Sequence, residues 1–208
     1  MYRNTFLSVM FLACCFNGSL CAQSDAQIYE RTCDAKTYPF SDPSPVATPN
    51  NSYYPYFRFD GFSMQAQEKQ WKMVVLENDY VKLTVTPEIG GKIWGAIDKV
   101  NNKEFVYTNG VVKFRDVAMR GPWTSGGIEF NFGIIGHAPT CSTPIDYLTK
   151  KNVDGSVSCH IFSYEWITRT VWNVEINLPK DKAYFTTHTT WFNQSSIDQP
   201  YYQWMNAG

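Results

Sequence analysis

Glu129 and His137 are the two side chains whose types and spacing best suit proton transfer. They share one stretch, AMRGPWTSGGIEFNFGIIGH from Ala118 to His137, with aromatic rings, Arg120 and several glycines. A carboxylate beside rings in a partly desolvated position has its proton affinity raised, which makes it an acid or base usable near neutral pH. His137 ends the glycine-rich stretch, in a loop context where functional groups concentrate, and is the expected partner of Glu129. Arg120 offers a planar fork for a carboxylate or a pair of hydroxyls; pairing with Glu129 to hold the loop is its structural alternative. Trp123, directly after a Gly-Pro turn, is the best candidate for an exposed ring.

These groups need a strand to aim them. Ile128-Glu129-Phe130-Asn131-Phe132 alternates apolar and polar residues, so Ile128, Phe130 and Phe132 face one way while Glu129 and Asn131 face the other, toward a polar ligand. Gly121, Gly126-Gly127, Gly133 and Gly136 mark sharp turns or close backbone approach around it. Upstream, Val74 to Leu76 and Val81 to Thr86 read as a hairpin turned by Glu77-Asn78-Asp79, followed by strands at Lys92 to Ile97 and Glu104 to Tyr107. Further strands are expected at Ser158 to Tyr164, Arg169 to Leu178, Ala183 to Asn193 and Tyr201 to Met205. No stretch sustains a helical period, so the expected fold is an all-β sandwich.

The 208 residues carry 18 basic and 19 acidic side chains, a net charge of −1 that points away from nucleic acid. Arg3, the apolar run Phe6 to Phe16 and Leu20-Cys21-Ala22 read as a signal peptide over 1–22, too short to span a bilayer; the protein is expected to be exported, periplasmic or extracellular, with no other membrane segment. Lipidation at Cys14, Cys15 or Cys21 is the lesser reading, because Leu20 is large for a lipobox. Residues 23–52 read as an N-terminal arm and 53–208 as the sandwich. Of the cysteines left after cleavage, Cys141 and Cys159 are the expected disulfide, with Cys33 solitary. No zinc spacing exists and no dense carboxylate cluster marks a calcium site, the cofactor is left open, and His160 and His188 read as sheet residues.

The segments LENDYVKLTVTPEIGGKIWGAIDKVNNKEFVY, RGPWTSGGIEFNFGIIGH, DGSVSCHIFSYEWITRTVWNVEINLP and YYQWMNAG occur in this order. Together they resemble the galactose-mutarotase-like domain family of unknown function often found N-terminal to tetratricopeptide repeats. The resemblance covers Tyr53 to Gly208 and implies a β-supersandwich of antiparallel sheets with a sugar-sized groove on a concave face, in a superfamily of aldose epimerases, glycoside hydrolases and polysaccharide lyases. Against that pattern the chain looks truncated at Gly208, and repeats are expected downstream. The implied partner is a carbohydrate. Sugars need planar polar groups and exposed rings, for which Trp123, Trp204, Tyr201 and Tyr202 are candidates, while Trp94 reads as core. Glu129 and His137 are then the expected catalytic pair, with Arg120, Trp123, Asn131 and Trp204 binding substrate. Mutarotation needs one proton moved on and one off; hydrolysis more often needs a second carboxylate, for which Asp116, Asp146 and Glu165 are candidates. A non-catalytic sugar-binding or assembly module is the alternative, and a scaffold held by an Arg120–Glu129 pair is a third.

Overall fold

The computed structural model describes residues 24–42, 57–58, 60–117, 121–132, 137 and 139–208; the expected signal segment and Arg120 lie outside them. The strands are β1 (Gln27–Tyr38), β2 (Gln67–Glu77), β3 (Val81–Thr86), β4 (Lys92–Asp98), β5 (Lys103–Val106), β6 (Val112–Lys113), β7 (Arg115–Asp116), β8 (Pro122–Trp123), β9 (Ile128–Phe132), β10 (Asp146–Lys151), β11 (Val157–Glu165), β12 (Thr170–Leu178), β13 (Thr186–Asn193) and β14 (Gln203–Ala207). Only two short 3-10 turns, Pro87–Ile89 and Pro139–Ser142, join them among the described residues, so the fold is all-β as expected. An eight-stranded sheet runs β14-β9-β4-β3-β2-β1-β6, with β5 attached to β4. It stacks on a four-stranded sheet, β10-β11-β12-β13, while β7 and β8 pair separately.

The stacking follows from the period-two patterns. Val74 and Leu76, Leu83 and Val85, Ile93, and Ile128, Phe130 and Phe132 project from the large sheet onto Val157, Cys159, Ile161, Trp172, Val174, Ile176 and Leu178 of the small one, all buried. Phe132 and Trp172 meet across this core, their rings stacked at 4.5 Å and 8°. The opposite face of the large sheet carries a second apolar cluster of Trp71, Met73, Ile89, Trp94, Val112 and Phe114. Trp94 is therefore a core ring, but of this second cluster.

Turn chemistry joins the sheets. Asn78, in the β2–β3 turn, accepts the backbone N–H groups of Tyr80 (2.8 Å) and Val81 (2.7 Å) through its side-chain oxygen. Its side-chain nitrogen donates to the carbonyls of Pro179 (2.7 Å) and Lys182 (2.8 Å), beyond the end of β12 in the other sheet. One buried amide thus fixes a hairpin and staples two layers.

Two expectations change. Within the stretch read as an arm, Gln27–Tyr38 is the longest strand, paired antiparallel with β2 from Gln27↔Glu77 to Thr37↔Gln67. Its sequence QIYERTCDAKTY is polar on both faces, so no alternation announced it. Cys141 and Cys159 form no disulfide; both are buried free thiols. Cys159 points into the inter-sheet core, whereas Cys141 lies in the Pro139–Ser142 turn with its sulfur 3.5 Å from the Pro122 carbonyl. Burial pushes the Cys159 thiol up to about 12 and raises Cys141 as well. Because the thiolate is the nucleophile, an alkylating reagent is expected to modify half-buried Cys33 in the native protein and to reach Cys141 and Cys159 only on unfolding. Residue-resolved mass spectrometry of the labelled protein checks this, and native labelling at Cys159 would refute the packing described.

Candidate functional site

β9 is aimed by the turn before it. Gly127 holds φ +69°, and a Cβ there would meet the Ile93 carbonyl oxygen at 2.3 Å, so only glycine lets β9 start this close to β4. Ile128 then pairs with Ile93, and β14 closes the other side of β9 with Trp204 opposite Asn131 and Asn206 opposite Glu129. Directly opposed residues share a face, so Glu129, Asn131 and Trp204 lie together on the side of the large sheet away from the inter-sheet core.

There Glu129 Oε1 accepts a hydrogen bond from Asn131 Nδ2 (2.8 Å) and meets His137 Nδ1 at 2.7 Å. With Glu129 ionised, Nδ1 carries the proton and donates, which leaves Nε2 as the basic atom of the ring. The side chain of His137 is 23% exposed against 4% for Glu129, so the imidazole is the outward member and the carboxylate stands behind it. Trp123 and Trp204 meet the imidazole edge-on at 6.0 and 5.7 Å, and Tyr202 packs on Trp204 at 4.8 Å. His137 also holds φ +55°, a left-handed backbone unusual for a residue with a side chain and of the sort that collects at functional positions.

Neighbouring β4 supplies a buried cation. Lys92, 1% exposed, donates to the Thr124 carbonyl (2.8 Å) and hydroxyl (3.1 Å). Burial pushes its ammonium below the ordinary 10.5, and the charge of Glu129 opposes that shift. Glu129 Oε2 is itself buried with no hydrogen-bond partner, so the charge of Lys92 offsets part of its desolvation. The sign of the pH dependence follows. Between the depressed folded value and 10.5 the unfolded chain binds more protons than the folded one, so the Lys92 contribution to stability improves as pH rises through that window. The raised thiols act oppositely above their ordinary 9.0, where only the unfolded chain ionises them. Comparing Lys92→Met with the parent in denaturant titrations from pH 7 to 10.5 removes the shared thiol contribution. The parent is expected to gain on the variant as pH rises, and a flat difference would refute the assigned shift.

The structure thus brings together Glu129, His137, Trp123, Asn131 and Trp204. Asn131 is fully buried and clamps Glu129 rather than facing solvent. Tyr201 packs edge-on against Trp191 at 5.0 Å. Of the candidate second carboxylates, Asp116 sits on the β7–β8 pair that carries Trp123, with its carboxyl pushed up by burial and by Asp60. Asp146 is exposed on the far sheet, and Glu165 accepts the Ile167 and Thr168 backbone N–H groups in the β11–β12 turn. His160 sits across from Glu175 in the small sheet, its Nε2 3.7 Å from that carboxylate, and His188 also pairs with Glu175 in register; both lie outside the cluster. Sequence reasoning missed Lys92 and Thr124. The one available signal was a lysine directly after Gly90-Gly91 at the head of an apolar strand. Among the described residues no group of three or more His, Cys, Asp and Glu side chains is placed to hold a metal ion.

A solved structure described as a TPR-domain containing protein from Parabacteroides distasonis ATCC 8503 matches with a TM-score of 0.80 and 27% identity over 89% of this chain. This chain spans 32%, about a third, of that one. The family model for DUF5107, a domain of unknown function, matches residues 48–208, which contain the whole cluster around Glu129 and His137. The chain is a member of the DUF5107 family.

Proposed function

We propose that this is an exported, galactose-mutarotase-type domain that acts on a carbohydrate, with His137 as the proton-transfer group and Glu129 as the residue that orients and charges it. The carrying observation is the 2.7 Å contact between a buried carboxylate and a more exposed imidazole flanked by two indoles. Rings beside a polar dyad suit the apolar C–H face and the hydroxyls of a sugar. In anomer exchange, Nε2 takes the proton of the anomeric hydroxyl as the bond from the anomeric carbon to the ring oxygen breaks and the carbonyl forms. The imidazolium, stabilised by Glu129, then returns that proton to the ring oxygen. One imidazole and one carboxylate suffice for this cycle, which favours epimerase-type chemistry over hydrolysis with its two opposed carboxylates.

The alternative is a non-catalytic sugar-binding or assembly module. It draws support from the burial of Glu129 beside Lys92, an arrangement that also serves as a scaffold. In either case we place the domain in a longer protein with tetratricopeptide repeats, as the likeness to a TPR-domain containing protein suggests. The test is polarimetry of freshly dissolved α-D-galactose and α-D-glucose with the full-length protein, together with calorimetric titration of both sugars. Anomer exchange above the spontaneous rate supports the catalytic reading, binding without turnover supports the module, and neither would sink both. Trp204→Ala is expected to weaken sugar binding about fivefold, as loss of one stacking ring of roughly 1 kcal/mol implies.

A further inference from the structure

The face of the large sheet that bears Glu129 also holds a cleft of about 400 Å³ over β1 to β4. Its floor includes Trp94, Met73 and half-buried Cys33, and its rim includes the charged side chains of Arg31, Asp34, Lys82 and Glu104. Among the described residues Arg31 has no hydrogen bond or ion pair, its side chain is exposed, and Glu104 is exposed as an acceptor. The wall between this cleft and the Glu129 cluster is the segment from Thr108 to Val111. Gly95 packs so closely beneath it that a Cβ would meet Thr108 Oγ1 at 2.1 Å, and Asn109 Nδ2 donates to Ser125 Oγ at 2.7 Å, next to the Thr124 that holds Lys92. The floor shows only a narrow edge of the Trp94 indole, 8% exposed, and the rim sets Arg31 and Lys82 against Asp34 and Glu104, so the cleft carries no net demand for charge. It matches a neutral polyhydroxylated ring, whose hydroxyls both donate and accept.

We infer that this cleft is a second sugar subsite, separate from the Glu129–His137 centre, so that the protein holds a neutral oligosaccharide at two places rather than a single monosaccharide. The inference rests on the carbohydrate reading above. Cys33 in the floor supplies a direct reporter. With the full-length protein, alkylation of Cys33 by iodoacetamide is followed by mass spectrometry in the presence of neutral oligosaccharides of two to six glucose or galactose units, whose binding is measured in parallel by calorimetry. At ten times the dissociation constant only about a tenth of the sites are free, so labelling is expected to slow about tenfold. Arg31→Gln and Glu104→Gln, at exposed positions, are expected to weaken oligosaccharide binding several-fold and leave monosaccharide binding unchanged. Oligosaccharides that bind by calorimetry but leave Cys33 labelling and both variants unaffected would overturn the subsite while sparing the Glu129–His137 reading. No binding by any saccharide would overturn the carbohydrate reading and the subsite with it.

Discussion

Glu129→Gln is expected to reduce sugar turnover by about 10²–10⁴-fold while the protein still folds. The substitution keeps the shape of the side chain, and the amide oxygen still accepts from Asn131 and His137, whose contacts are 2.8 and 2.7 Å in the parent. What disappears is the negative charge. The neutral amide oxygen can still accept from Nδ1–H of His137, but the imidazolium formed during proton transfer is left without its counter-charge. Two further costs follow from burial. Lys92 loses the charge that opposes its desolvation, and the Gln amide nitrogen takes the place of an oxygen that has no hydrogen-bond partner. The variant should therefore melt lower than the parent, yet retain the strand content of the fold in circular dichroism. A folded variant with parental turnover would remove Glu129 from the mechanism, and equal loss of binding and turnover would favour a scaffold role.

Trp172→Ala is the substitution with the largest expected effect on stability, about 3–5 kcal/mol. Trp172 is 1% exposed in the centre of the small sheet, stacked on Phe132 of β9. Its removal leaves a cavity between two pleated surfaces whose backbones are held by hydrogen bonds and cannot collapse into the gap. That loss is a large share of the stability of an ordinary domain and corresponds to a melting temperature lower by about 10 °C. A functional consequence is built in. Phe132 lies on the core face of β9, and its neighbour Asn131 clamps Glu129 on the other face. Loosening the core side of β9 should then lower turnover even at temperatures where the variant remains folded. A change below about 1 kcal/mol in denaturant titration would show that the stacked pair is dispensable.

Local pattern carried much of this molecule. β9 spans Ile128–Phe132 and β3 spans Val81–Thr86, as the alternation of residue types predicts, because side-chain direction in a strand depends only on sequence parity. The β2–β3 turn was legible for a similar reason: an Asn satisfies the backbone two and three residues on. Glu129, His137 and Trp123 were legible as a group because they are close in the chain, between glycines that turn it sharply.

Partners distant in sequence were decided only by the tertiary structure. Trp204 reaches His137 because β14 pairs with β9, and Lys92 comes near Glu129 because β4 does; neither pairing leaves a mark in the local pattern. β1 gains its strand from eleven residues of register with β2, not from any alternation of its own. Cys141 and Cys159 bracket one segment of sequence yet enter different environments, which chain separation alone does not reveal. Period two says that Glu129 and Asn131 share a face, but whether that face is wet depends on what the rest of the chain lays over it. Here the fold covers Glu129 and Asn131 and leaves His137 more exposed, so it was packing that moved the outward role from the carboxylate to the imidazole.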